Sequence, residues 1–172
     1  MEYLDIVNED DEIIGKTSFE EAHKNKLRHR SVQIFIFHSE DRKMLLIAKR
    51  SKDTIGHPSK FCPSACGHVQ SGQTYLEAAK DELLEELFSG RDKLPESIVL
   101  KKISRYNNDY KDEKENTCLF FAKFSKDFSI NTVELEKVFW KNINDILIDV
   151  KENPQDYTPS FLKAIEEYSK NI

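Results

Sequence analysis

The chain is poor in cysteine, has no long hydrophobic run, and carries no concentrated positive charge. Cys62, Cys66 and Cys118 are the only three cysteines. An odd, small number is poor material for a disulfide framework. No apolar stretch approaches the roughly 18 residues that suggest a membrane span, so no membrane partner is expected. The net charge is −5, and lysine and arginine are scattered along the chain. A nucleic-acid surface needs a clustered basic face, so nucleic acid is not an expected partner either. The first twelve residues, MEYLDIVNEDDE, are acidic from the second position. They lack the basic start and apolar stretch of a secretory signal, which makes a cytoplasmic location the expectation. There is no internal repeat and no low-complexity tract.

What is present is an ordinary globular composition, 38% hydrophobic and 33% charged over 172 residues. That length suits one domain, 1–172, with one sizeable core. Residues 2–7 and 12–18 read as strands joined by the NEDD turn. Ser18 precedes a Glu-rich turn, so 19–26 reads as a helix. The segment 31–39 alternates as a strand does, and MLLIAKR returns from it as a hairpin. Residues 50–63 read as a loop and PSACGHV as a short strand. Thr74 and Glu77 form a capping-box pattern at the head of a helix running to about Phe88. Strands are expected at 97–106 and 117–125, with the charged DYKDEKEN as the tip between them. KVFWK reads as a further strand, and helices follow near 142–150 and 158–170. Mixed strands and helices in this order imply an α+β layering.

The helix after Thr74 carries the chemistry. At about 100° per residue, Glu85 falls near 300° and Glu86 near 40° from Glu82, so the three carboxylates share one face. Leu76, Ala79, Leu83 and Leu87 occupy the neighbouring stripe and are expected to pack on the sheet. Leu84 faces away from that stripe, which hints at a partner surface. Carboxylates three and four residues apart repel one another, and by themselves they read as a solvated acidic face. A hard divalent cation reverses that sign, because it takes several oxygen ligands. The preceding segment, Gly67-His68-Val69-Gln70-Ser71-Gly72-Gln73, is a strand entering a glycine-containing loop. Such a loop can bring backbone groups close to an ion or phosphate.

GHVQSGQTYLEAAKDELLEELF resembles the Nudix box, G-x5-E-x7-R-E-U-x-E-E-x-G-U, where U is aliphatic. Gly67 matches the first glycine, and Glu82, Leu83, Glu85 and Glu86 match E-U-x-E-E. DIVNEDDEIIG, HKNKLRHR and VFWKNINDI resemble the branch similar to isopentenyl-diphosphate isomerase. The resemblance implies a Nudix fold, a mixed β-sheet sandwiched between helices. It also implies Mg²⁺ or Mn²⁺ bound by Glu82, Glu85, Glu86 and the Gly67 carbonyl. The implied activity is hydrolysis of a diphosphate bond in a nucleoside di- or triphosphate, or in a nucleoside diphosphate linked to another moiety. Glu85 or Glu86 would serve as general base, with Glu115 as a second candidate. Arg50, Lys52 and His68 would bind the substrate, a small-molecule diphosphate. A monomer or homodimer is expected.

Three box positions depart from the pattern: Gln73, Asp81 and Phe88 stand where the family has Glu, Arg and Gly. In the family that Glu and Arg form a salt bridge orienting the metal glutamates. Their joint replacement leaves a catalytically weak diphosphate-binding protein as one alternative. The other alternative is the isomerase itself. Cys66-Gly67-His68 looks like its catalytic cysteine motif, and His23 and His29 fall where it has metal ligands. Against it, Lys114-Glu115-Asn116 aligns with the isomerase E-x-E pair and offers one acid, and Phe161 stands for its tryptophan. Outside that alternative, His23 and His29 read as hydrogen-bonding residues of the fold, Cys66 and Phe161 as packing, and a Cys62–Cys66–His68 zinc site as short of ligands.

Overall fold

The computed structural model describes residues 2–111 and 113–171. Nine strands form one sheet: β1 (Tyr3–Val7), β2 (Ile13–Ser18), β3 (His29–Phe37), β4 (Met44–Arg50), β5 (Phe61–Cys62), β6 (Ala65–His68), β7 (Lys101–Tyr110), β8 (Glu113–Lys123) and β9 (Leu135–Asn142). Four helices accompany them: α1 (Phe19–Lys24), α2 (Tyr75–Leu87), α3 (Ile143–Glu152) and α4 (Pro159–Lys170). The sheet is mixed and curled around β3. That strand pairs in parallel with β8, and antiparallel with β1, β4 and β6. The β3–β4 hairpin pairs only at Ile36–Leu46 and Phe37–Leu45. Beyond that point β4 leaves β3 to pair with β9 and β5, and β6 takes its place beside Ser31–Ile34.

This splay explains why β3 is buried on both faces. Val32, Ile34 and Ile36 join one core cluster with Ala78, Ala79, Leu83 and Leu87 of α2. Phe35 and Phe37 join another with Ile143 and Ile146 of α3 and Phe161, Ala164 and Ile165 of α4. The alternation in 31–39 therefore separates two cores, one per face. The α+β layering, a sheet sandwiched between helices, is the one expected.

Ser18 caps α1 by accepting from the Glu21 amide, and Thr74 and Glu77 complete the capping box of α2. Three local expectations fail for tertiary reasons. Leu76 is 40% exposed, and Ala78 and Glu86 join the buried stripe of α2 in its stead. Leu84 is no partner surface, because it packs against the core beside Leu94, Ile98 and Leu100. Most of DYKDEKEN is strand and not tip: β7 runs to Tyr110 and β8 starts at Glu113. Two of its acids have partners, Asp109 with Arg28 at 2.7 and 2.8 Å and Glu115 with Asn108 on the facing strand at 2.9 Å, so strand pairing can run through them.

Candidate active site

Strand β6 brings the box to the sheet. Gly67 sits in register with Val32 of β3, and the head of α2 follows after a short turn. The Glu82 carboxylate lies directly on Gly67: a Cβ there would overlap the carboxyl carbon and both oxygens. No positive φ is required at this glycine. What its missing side chain supplies is room for Glu82. Glu86 is 3% exposed and accepts a 3.2 Å hydrogen bond from the Cys66 amide. Glu85 stands on the exposed rim. The structure thus places Glu82 against Gly67 and Glu86 against Cys66, with Glu85 at the exposed edge of the same helix.

Their electrostatics call for a cation. Burial, reinforced by Glu86 and Glu85, pushes Glu82 up to about 9. Burial and then Glu134 push Glu86 up to about 8, against the opposing pull of the Cys66 amide and Arg50. Glu85 is raised for the same reasons, burial first and Glu134 second. Glu134, on the turn before β9, is a fourth carboxylate facing the cluster that no sequence motif marked. Asn131 orients it, donating to its side chain at 3.0 Å and, through its amide, to the Glu86 carbonyl at 2.9 Å. A hard divalent ion suits oxygen donors of this kind. The residues present, with the cradle at Gly67, fit Mg²⁺ or Mn²⁺.

A stability prediction follows. Folded Glu82 and Glu86 keep their protons at pH values where the unfolded chain has lost them. The folded state then binds more protons, so stability falls as pH rises. With chelator present, the melting temperature is expected to fall between pH 5.5 and pH 8.5 by about 5 °C or more. Added Mg²⁺ or Mn²⁺ should abolish most of that loss. A metal-free melting curve that does not move over this range would contradict the buried-carboxylate account.

The two altered box positions still pair. Gln73 Nε2 donates to Asp81 Oδ2 at 2.8 Å, and Gln73 Oε1 accepts from the Gln70 amide at 3.1 Å. A neutral-to-charged hydrogen bond thus stands at the two positions whose salt bridge the box pattern lacks here.

On the other side of Gly67 lies a second group. The ring nitrogens of His23, His29 and His68 lie within 4.8 Å of one another. His23 Nδ1 is 2.8 Å from the Phe19 carbonyl, and His29 Nδ1 is 2.8 Å from the Leu27 carbonyl. A carbonyl only accepts, so each Nδ1 carries a proton, and in a neutral ring of this tautomer Nε2 presents a lone pair. His29 Nε2 is buried with no hydrogen-bond partner. Burial, opposed for His29 by its bond to Leu27, lowers His29 to about 4 and, with the neighbouring histidines adding, His68 to about 3. Both rings are neutral at physiological pH. Glu115 Oε1 lies 3.6 Å from His68 Nε2 and 3.9 Å from His29 Nε2, and Glu113 Oε2 lies 3.6 Å from His23 Nε2. Burial pushes Glu115 up to about 7, although Asn108 stabilises its charged form. Three imidazoles and carboxylate oxygens suit a divalent transition ion such as Mn²⁺.

This group corrects several expectations. His23 and His29 do hydrogen-bond the fold, but only through Nδ1. His68 faces Glu115 and the other two rings, not an open substrate surface. The E-x-E pair is intact as Glu113-Lys114-Glu115, because residues two apart on β8 share a face. The E-x-E positions therefore begin at Glu113, one residue before Lys114, because the paired strand β8 already starts there. Arg28 locks the β7–β8 strands that carry the two acids, through Asp109, Asn116 Oδ1 at 3.2 Å and the Glu115 carbonyl at 3.3 Å.

Arg50 lies at the site's edge, where its charge favours the ionised forms of Glu86 and Cys66. Its guanidinium braces the following loop, donating to the Gly56 carbonyl (3.0 Å), Thr54 Oγ1 (3.0 Å) and the Ile55 carbonyl (3.1 Å). Lys52 is exposed in that loop. Cys62 is buried with its thiol toward the Ala48 carbonyl, away from any zinc arrangement. Burial raises the Cys66 thiol well above its usual range, so it is a neutral S–H. Phe161 is core, stacked on Tyr157.

The Nudix domain family model matches residues 27–161. The chain belongs to the Nudix family. An uncharacterised Nudix hydrolase of Yersinia pestis is 28% identical over 96% of this chain and 84% of its own length. Isopentenyl-diphosphate Delta-isomerase 2 of Photorhabdus laumondii is 29% identical over 98% of this chain and 93% of its own. Among solved structures, DR0079 from Deinococcus radiodurans superposes with a TM-score of 0.79 at 21% identity, covering 96% of this chain and 98% of that one. Together with the family match, that likeness shows the Nudix fold. The chain is thus a Nudix-type enzyme, and the family's general chemistry is at a diphosphate. No helix among the described residues is long and apolar enough to cross a membrane.

Proposed function

We propose that this Nudix enzyme hydrolyses the diphosphate bond of a nucleoside di- or triphosphate, or of a nucleoside diphosphate linked to another moiety. The reading rests on one observation above the others: Glu82 seated on Gly67 and Glu86 tied to the Cys66 amide, with Glu85 on the same helix face. Mg²⁺ or Mn²⁺ bound by Glu82, Glu85, Glu86 and the Gly67 carbonyl would neutralise the diphosphate and acidify water. The protein's own contribution is positional. Gly67 and the Cys66 amide fix two carboxylates on the core side of α2. Glu85, the least constrained of the three, is free to accept the proton of the attacking water. Arg50 and Lys52 would pair with phosphate oxygens.

The histidine–glutamate group favours a second reading, isopentenyl-diphosphate isomerase. There Cys66 and Glu115 would form the acid–base pair that moves a proton on and off carbon. The intact Glu113–Glu115 pair strengthens that reading over its standing from the sequence. One panel separates the cases. Mg²⁺-dependent phosphate release from nucleotides supports the hydrolase, and interconversion of isopentenyl and dimethylallyl diphosphate supports the isomerase. Tight binding without either product supports a diphosphate sensor. For the hydrolase, Cys66→Ala should keep nucleotide turnover within about threefold, because neither metal ligation nor proton transfer uses its thiol. A loss of several orders of magnitude in that variant would count against the hydrolase and for the isomerase.

A further inference from the structure

The head of α2 is held from outside the box, by the N-terminal hairpin. Strand β1 takes the loop before the helix as a partner: Leu4 bridges Gln70, and the Tyr3 carbonyl accepts from the Ser71 amide at 2.7 Å. Asp5 closes that contact. It is 8% exposed, and its two carboxylate oxygens accept from Ser71 Oγ at 2.7 Å and from the Gly72 amide at 3.1 Å.

The turn between β1 and β2 holds the helix itself. Asp11 Oδ1 accepts from the hydroxyl of Tyr75, the first residue of α2, at 2.8 Å. The same oxygen accepts from Arg30 Nε at 2.8 Å and from Asn116 Nδ2 at 3.2 Å. Arg30 also donates to the Asp11 carbonyl at 2.7 Å, and Asn116 to the Asn8 carbonyl at 2.9 Å. The Tyr75 ring packs against the core cluster beneath α2, with the Arg30 guanidinium 5.5 Å from its centre. Tyr75 is therefore fixed at both its ring and its hydroxyl. Glu82 lies seven residues further on and Glu86 eleven, so at about 100° per residue both fall within about 20° of Tyr75 around the helix. Any rotation of α2 at Tyr75 turns these two carboxylates with it. By contrast, the bond from Gln73 to Asp81 is a single one with a neutral donor, and it lies exposed to solvent. An arginine–carboxylate pair makes two parallel bonds.

We propose that Asp5, Asp11 and Tyr75 are positioning residues for the α2 carboxylates, and that the N-terminal hairpin stands in for the box salt bridge missing at positions 73 and 81. The inference rests on the reading of Glu82, Glu85 and Glu86 as metal ligands. Asp5 fixes where the helix begins. Asp11, through Tyr75, fixes how it is rotated. Both must be set for Glu82 to land on Gly67 and for Glu86 to reach the Cys66 amide.

The test is calorimetric titration with Mn²⁺, run beside nucleotide kinetics and melting curves in chelator. The proteins are the wild type, Tyr75→Phe, Asp5→Asn and the Asp5→Asn/Tyr75→Phe double variant. Each is also made in a Gln73→Glu/Asp81→Arg background, which restores the box pair. Binding at α2 is taken as the component that Glu86→Gln removes, which separates it from binding at the histidine group. The double variant should bind this Mn²⁺ about 10-fold more weakly, with kcat down about 10- to 100-fold. KM should stay within about threefold, because the contacts to substrate are untouched. Tyr75→Phe, which deletes one hydroxyl, should show a smaller loss of the same kind. In the restored background the same substitutions should cost less than about threefold in Mn²⁺ affinity, a coupling that independent sites would not show. Wild-type Mn²⁺ affinity in the double variant, or a lower melting temperature with affinity unchanged, makes these contacts structural and overturns the proposal. An equal loss of affinity in both backgrounds overturns it as well. If nucleotides are hydrolysed and the variants match the wild type, the positioning role fails and the hydrolase stands. If the anchors control Mn²⁺ affinity in a protein that hydrolyses no nucleotide, the positioning role stands and the hydrolase fails. If Glu86→Gln removes no Mn²⁺ binding, both fall.

Discussion

Glu86→Gln is expected to lower nucleotide turnover by about a thousandfold while leaving the fold intact or slightly more stable. The two halves of that expectation come from the same burial. Glu86 is 3% exposed, and its pKa of about 8 shows that the charged form is disfavoured there without a cation. Glutamine has the same shape and no charge, and its carbonyl can still accept from the Cys66 amide. Without metal, nothing favourable is lost. With metal, an anionic oxygen donor is gone, and with it affinity for the ion and its contribution to the transition state. Thermal melts with and without Mg²⁺ and initial rates on one nucleotide read both effects. The wild type should gain stability from Mg²⁺ and the variant should gain little. Full activity in the variant would show that α2 does not hold the working metal.

Gly67→Ala is the second large effect. A Cβ at this position would collide with the whole carboxyl group of Glu82. The backbone there does not need glycine's left-handed freedom, so alanine introduces no φ strain. The colliding group is the end of a flexible side chain, and it can swing away. The expected outcome is therefore a folded protein whose Glu82 is displaced. Turnover should fall about a hundredfold or more, with circular dichroism unchanged and the melting temperature within a few degrees of wild type. Because Glu82 would leave a half-buried position for water, the fall in metal-free stability from pH 5.5 to 8.5 should also shrink. If Gly67→Ala works as well as wild type, the contact between β6 and Glu82 has no part in positioning the metal.

The most legible part of this protein was local. The capping box at Thr74 and Glu77, the helix behind it and the shared face of Glu82, Glu85 and Glu86 all follow from residues within a few turns. Helical periodicity needs no knowledge of the rest of the chain. The C-terminal helices and the order of the strands were legible for the same reason. Failures occurred where a distant segment changed the environment. Leu84 was expected to face outward, but the 94–100 segment covers it. Residues 109–116 look like a solvated tip because they are charged, yet Arg28 and Asn108 pair two of those charges within the fold. Glu113 lies within that same segment, and Glu134 carries no local signal at all.

By itself, the sequence determined the Nudix family, the layered fold and the carboxylate helix, since each is encoded in short-range spacing. The tertiary structure alone decided which carboxylates are buried against Gly67 and Cys66, and so which of them need a cation. It alone gathered His23, His29, His68, Glu113 and Glu115 from α1, β3, β6 and β8 into one group. The physical reason is that spacing along a chain sets direction within one element. Desolvation and the meeting of side chains from separate elements are set only when the sheet closes around β3.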